Sequence, residues 1–162
     1  MKLDQLWWVV LALILFQAVT GGGGEASVRI EVGRPSQGAY RATPAERHLL
    51  GWITYWEARG EPFEGQVAVA AVVLNRVRHP DFPNTIREVI FQRGQFQPVA
   101  ERAYDPTMPI PENIQRAVDL ALAGHDPRMG ALFFYNPRLT RNPSFWASRP
   151  VVRQIGNHVF TR

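Results

Sequence analysis

The chain predicts a mainly helical α+β domain with a buried central helix and a small antiparallel sheet. Three observations carry that prediction. Val67 to Leu74 is apolar on every side in the middle of a helix-length segment, as a helix enclosed by its neighbours requires. Thr43 to Glu46 and Thr85 to Glu88 both read Thr-x-x-Glu, the pattern that closes a helix N-terminus reciprocally. Ala131-Leu132-Phe133-Phe134-Tyr135 is the best strand candidate, with a partner strand near His158 to Thr161.

Taken in order, residues 1–24 stand apart from the fold. Lys2 precedes an apolar run from Leu6 to Phe16, and small residues and four glycines follow, which describes a secretory signal or an uncleaved signal anchor. The run is shorter than the roughly 20 residues of a spanning helix. Either form puts the domain outside the cytoplasm and leaves the membrane to this segment alone. Residues 25–42 read as a flexible linker, although Ser27 to Val32 alternates like a short strand. The domain proper is expected over 43–162.

Its first helix runs over about 45–58, with Leu49, Trp52, Ile53 and Trp56 at helical spacing and Pro44 at the first position. Gly60 and Pro62 end it. The central helix follows over about 63–78, closed by Arg76, Arg78 and His79. A short helix starts after Thr85 and ends near Phe91. A polar, aromatic loop fills Gln92 to Pro106. Pro111 opens a last helix, with Ile114, Val118 and Leu122 inward and Gly124 as its stop.

Composition excludes several chemistries. There is no cysteine, hence no disulfide, thiolate nucleophile or lipidated N-terminus. His48, His79, His125 and His158 have no metal-binding spacing, no nucleotide or serine-hydrolase motif occurs, and no cofactor is called for. The net charge is +4, with every basic residue an arginine except Lys2. The arginines are dispersed, which argues against nucleic acid and suits an anionic surface such as a cell wall.

Glu57 is the candidate acid. It lies one step to the side of the Leu49, Ile53 and Trp56 stripe, at the rim of the core, between Trp56 and the Gly60 turn. Desolvation there would raise its pKa, as protonation of a glycosidic oxygen near neutral pH requires. The alternative is a boundary glutamate bonded to backbone or to Arg59, and spacing alone slightly favours it. Among the other acids, Glu61 and Glu64 read as helix-start residues, and Asp81 and Asp105 as turn formers. No second acid stands out, although glycosidases usually use two. Gly94-Gln95-Phe96-Gln97-Pro98 combines amides with a ring, which suits sugar contacts or an ordered loop with Phe96 plugging the core. Tyr135, Asn136 and Trp146 pose the same choice.

EARGEPFEGQVAVAAVVLNRV, with HPDFPNTIREVI, GQF and ALFFYNP after it, resembles the catalytic domain of SleB-type cell wall hydrolases, which include spore cortex-lytic enzymes. The likeness runs from about Leu49 to the C-terminus. It implies a lysozyme-like fold related to lytic transglycosylases, acting on peptidoglycan glycan strands. It also implies Glu57 as the single acid and base, and Gln95, Phe96, Tyr135 and Asn136 as glycan contacts. The missing second carboxylate is then expected, because the muramoyl 6-hydroxyl acts as nucleophile. Gln97 departs from the small hydroxyl residue often found there. The peptidoglycan-binding module of some spore enzymes is missing as well, so targeting falls to the membrane, a regulatory or targeting protein, or the domain itself. Two rival readings stand beside this one: a true hydrolase using water with Asp105 or Glu101 as base, and a silent wall-binding protein.

Overall fold

The computed structural model of the chain describes residues 38–127, 130–140 and 143–162. The expected export segment, the Ser27 to Val32 stretch and most of the linker lie outside them. Among the described residues no helix is long and apolar enough to cross a membrane.

Helix α1 (Pro44–Ala58) starts with the expected capping box. The Thr43 hydroxyl accepts the Glu46 N–H at 3.2 Å, and the Glu46 carboxylate accepts the Thr43 N–H at 2.8 Å. Leu49, Leu50, Trp52 and Ile53 bury its inner face. Gly51 permits a close approach there, since a β-carbon would lie 3.1 Å from the Ile110 side chain.

Helix α2 (Phe63–Arg78) is the centre of the domain: every residue from Gly65 to Arg76 is buried. One side packs with α1, with α3 (Ile86–Phe91) and with the later α5 (Glu112–Leu122), through Ala70, Ala71, Val73 and Leu74. The other side, through Ala68, Val69 and Val72, meets Ile155 and Phe160 of the sheet. The run that looked apolar all round is apolar because it serves two cores. Its buried amide Asn75 is paired: it donates to Asp126 at 2.9 Å and to the Ala131 carbonyl at 3.0 Å.

The sheet comprises β1 (Phe133–Tyr135), β2 (Val151–Ile155) and β3 (His158–Thr161), in the order β1-β3-β2, antiparallel throughout. Phe134 lies opposite Phe160, and Ile155 opposite His158. The mainly helical build and the β1–β3 pairing agree with the sequence. Strand β2 was not expected there, because as an edge it buries only Ile155 and shows no alternation. Two further turns of helix, α4 (Gln97–Glu101) and α6 (Pro143–Ala147), are too short for periodicity to register.

One tie joins the start of the domain to its end. Glu61, in the turn between α1 and α2, accepts the Asn157 N–H at 2.8 Å and its side-chain amide at 3.2 Å. The turn between β2 and β3 fits against it only because residue 156 is glycine, at φ +54°. A β-carbon there would sit 2.2 Å from the Glu61 carboxylate and 2.7 Å from Pro62. Glu61 therefore latches the hairpin instead of serving the start of α2.

Candidate active site

Glu57 is the penultimate residue of α1, half-buried where the helix gives way to the Gly60 turn. Burial raises its carboxyl to about 7, the charge of Glu101 adds to that, and the nearby Arg76 opposes it. Arg59 does not claim it. Its guanidinium lies over the rings of Tyr55 and Trp56, at 5.5 and 4.9 Å. A carboxyl that holds its proton to about neutral pH can give it to a leaving oxygen and afterwards act as a base.

Arg76, in the last turn of α2, is the residue sequence reasoning missed. It is only 3% exposed. Its Nε donates to the Leu132 carbonyl at 2.7 Å, and its guanidinium lies 5.1–5.3 Å from the ring centres of Phe82, Phe96 and Phe133. Its Nη1 is buried without a hydrogen-bond partner. Burial lowers its pKa to about 10, although the Glu57 charge acts the other way. It stays a cation at neutral pH.

Glu57 and Arg76 line one cleft of ≈ 390 Å³. Gly94, Gln95 and Gln97 form one wall, and Phe133, Phe134, Phe145, Trp146 and Arg149 the other. Larger hollows exist, ≈ 510 Å³ beside Arg47 and His48 and ≈ 580 Å³ beside His79 and Arg162. Of these three, only the Glu57 cleft combines a desolvated carboxyl with amides and aromatic faces, the mixture that sugars need.

The structure brings three of the six expected residues, Glu57, Gln95 and Trp146, to that cleft. Tyr135 stands behind Trp146 and stacks on it, with ring centres 4.6 Å apart and planes at 12°. Phe96 is 4% exposed and packs in the core, so it is a plug beneath Arg76 and not a platform. Asn136 turns to its own backbone, where its carbonyl oxygen accepts the Arg138 N–H at 2.9 Å and shapes the turn after β1. Gln97, in the amide segment already singled out, joins the cleft as well, and Phe133, Phe134, Phe145 and Arg149 do so unannounced. The alternation of β1 could have flagged one of its phenylalanines, but nothing local marks Arg149. That arginine packs 3.8 Å above the Phe133 ring and 4.7 Å above Phe145.

Comparison with known proteins agrees with this picture. The pattern of the Cell Wall Hydrolase family matches residues 60–161. It begins just beyond Glu57, so the acid is argued from its setting in the cleft. A spore cortex-lytic enzyme of Bacillus subtilis is 45% identical over 113 residues, which are 69% of this chain and 36% of that protein. The chain spans about a third to a half of the curated spore cortex-lytic enzymes it matches. Two solved structures share its fold. The catalytic domain of a germination-specific lytic transglycosylase, SleB from Bacillus anthracis, superposes with a TM-score of 0.68 at 38% identity, covering 75% of this chain and 97% of that one. The catalytic domain of the Bacillus cereus SleB protein gives 0.68 at 36%, covering 87% and 100%. The SleB-type likeness and the lysozyme-like fold it implied are both borne out.

Proposed function

The chain belongs to the cell wall hydrolase family, and from that premise we propose that it cleaves peptidoglycan glycan strands between N-acetylmuramic acid and N-acetylglucosamine. One observation carries the reading: among the described residues Glu57 is the one carboxyl lining the cleft that holds Gln95, Gln97 and Trp146, and it keeps its proton to about pH 7. The Glu57 carboxyl gives that proton to the glycosidic oxygen, and the bond from this oxygen to the muramoyl anomeric carbon breaks. The glucosamine leaves as an alcohol. The Glu57 carboxylate then takes the proton of the muramoyl 6-hydroxyl, whose oxygen closes on the anomeric carbon. A 1,6-anhydro end results, and Glu57 is protonated again. The mechanism needs one carboxyl where hydrolysis ordinarily needs two. The Bacillus anthracis neighbour's description as a lytic transglycosylase supports the same product.

The names of the relatives support lysis of spore cortex during germination as the setting, which lies outside the cytoplasm. Hydrolysis by water is the second reading, with Glu101 as base. It draws on the reach of the Glu101 charge to Glu57 and on the Gln97 amide that donates to Glu101 from the cleft wall. Asp105 does not qualify. It is fully exposed and accepts the Thr107 N–H and hydroxyl in a turn away from the cleft.

Muropeptide analysis of vegetative and cortex peptidoglycan, digested by wild type and by Glu57→Gln, tests the reading. Anhydro ends from wild type and none from the variant are expected. Reducing ends would transfer the mechanism to hydrolysis. A variant that still solubilises wall would remove Glu57 from the chemistry, whereas one that binds wall without cutting it excludes a silent binding protein.

A further inference from the structure

Arg76 is charged, buried and incompletely bonded, a costly state for a guanidinium. Its wall is apolar on three sides, from Phe82, Phe96 and Phe133, and its Nε hydrogen bond goes to the Leu132 carbonyl. That bond and those rings fix where the guanidinium stands. Glu57 lines the same cleft, yet no ion pair within 4.0 Å joins the two among the described residues. A cation held at that remove favours the carboxylate without capturing it. Direct pairing would hold the acid ionised and useless as a proton donor.

We propose that Arg76 is a positioning residue for the Glu57 reaction: a wall-fixed cation that stabilises the carboxylate formed when Glu57 gives up its proton. The inference rests on the reading of Glu57 as the acid. The other charges around Glu57 cannot take this part. Glu101, on α4, has the wrong sign. Arg149, ahead of β2, lies over Phe133 and Phe145 and is not among the charges that act on Glu57. Arg59 and Arg102 lie over Trp56, at 4.9 and 4.0 Å, on the side of that ring. As the proton moves to the leaving oxygen, negative charge grows on Glu57 in a desolvated site, and Arg76 is the cation already in place.

The test is a direct titration of the Glu57 carboxyl by carbon-detected NMR in wild type, Arg76→Met and Arg76→Lys, alongside pH–rate profiles on purified peptidoglycan. Methionine keeps the packing against the rings and removes the charge. The Glu57 titration is expected to move upward by about one unit or more in Arg76→Met. In Arg76→Lys the upward move is smaller, because the charge remains. On substrate, kcat falls about tenfold or more in Arg76→Met while KM changes little, and lysine restores part of it. An unmoved or lowered Glu57 titration overturns the proposal, as does an equal loss of kcat at every pH. If Arg76→Met does not fold, Arg76→Gln, which also removes the charge, takes its place and is read by the same upward shift. The NMR arm reads the electrostatics without any turnover. A shift in a protein that leaves peptidoglycan intact would therefore refute the proposed function and keep the coupling.

Discussion

A carboxyl raised from 4.5 to about 7 is a statement about stability as well as catalysis. Below pH 4.5 the folded and unfolded forms both carry the Glu57 proton. Above it the unfolded chain ionises while the folded protein keeps its proton, so stability falls as pH rises, until both are ionised above about 7. The full loss is about 3 kcal/mol. Glu57→Gln should therefore unfold at higher urea than wild type at pH 8, with the gain vanishing towards pH 4.5. An equal gain at both ends would show that the carboxyl titrates normally. Glu101→Gln removes a like charge, so it should move the pH at which activity falls down by a fraction of a unit, and less so in high salt. Glu57 was legible because its place beside a helical stripe puts it at the core's rim. Arg76 was not. Arg76 and Arg78 look alike in sequence, but two residues along a helix point to opposite sides. Arg78 reaches out to the Gly38 carbonyl at 2.7 Å, while Arg76 turns in to Leu132.

Among the elements, the helices were readable wherever caps and length coincided, as in α1, α2 and α5. The short turns that carry Gln97, Phe145 and Trp146 into the cleft were not, since α4 and α6 take their form from tertiary contacts, as does the exposed strand β2. The hairpin turn deserves a direct test. Gly156→Ala would meet both the left-handed backbone cost and the Glu61 carboxylate, a loss on the order of 2 kcal/mol in urea unfolding. Glu61→Ala should cost about 1 kcal/mol by removing the two Asn157 bonds. In the double variant the clash with the carboxylate is gone, so the two losses should add to less than their sum. Strict additivity would mean that the turn and Glu61 are independent.

Across the whole molecule, α2 makes the two apolar clusters one cooperative unit. Val73 faces the helical cluster and Val72 the cluster beneath the sheet. Val73→Ala and Val72→Ala should each lower stability by on the order of 2 kcal/mol. Both should do so as a single transition seen alike by far-UV dichroism and tryptophan fluorescence. Two separated transitions would mean that the sheet melts on its own. The cleft draws its acid from one side of α2 and much of its aromatic wall from the other, so neither half alone forms the site.

The Glu61–Asn157 tie also fixes an order of events. These partners lie 96 residues apart, and the later one belongs to the last hairpin. A chain that emerges from a ribosome or an export channel N-terminus first presents its acid early and the brace for that acid late. Until the hairpin has emerged and closed on Glu61, the turn that follows the Glu57 helix end lacks this brace. On the proposed function, cutting is expected only once nearly all of the domain has emerged.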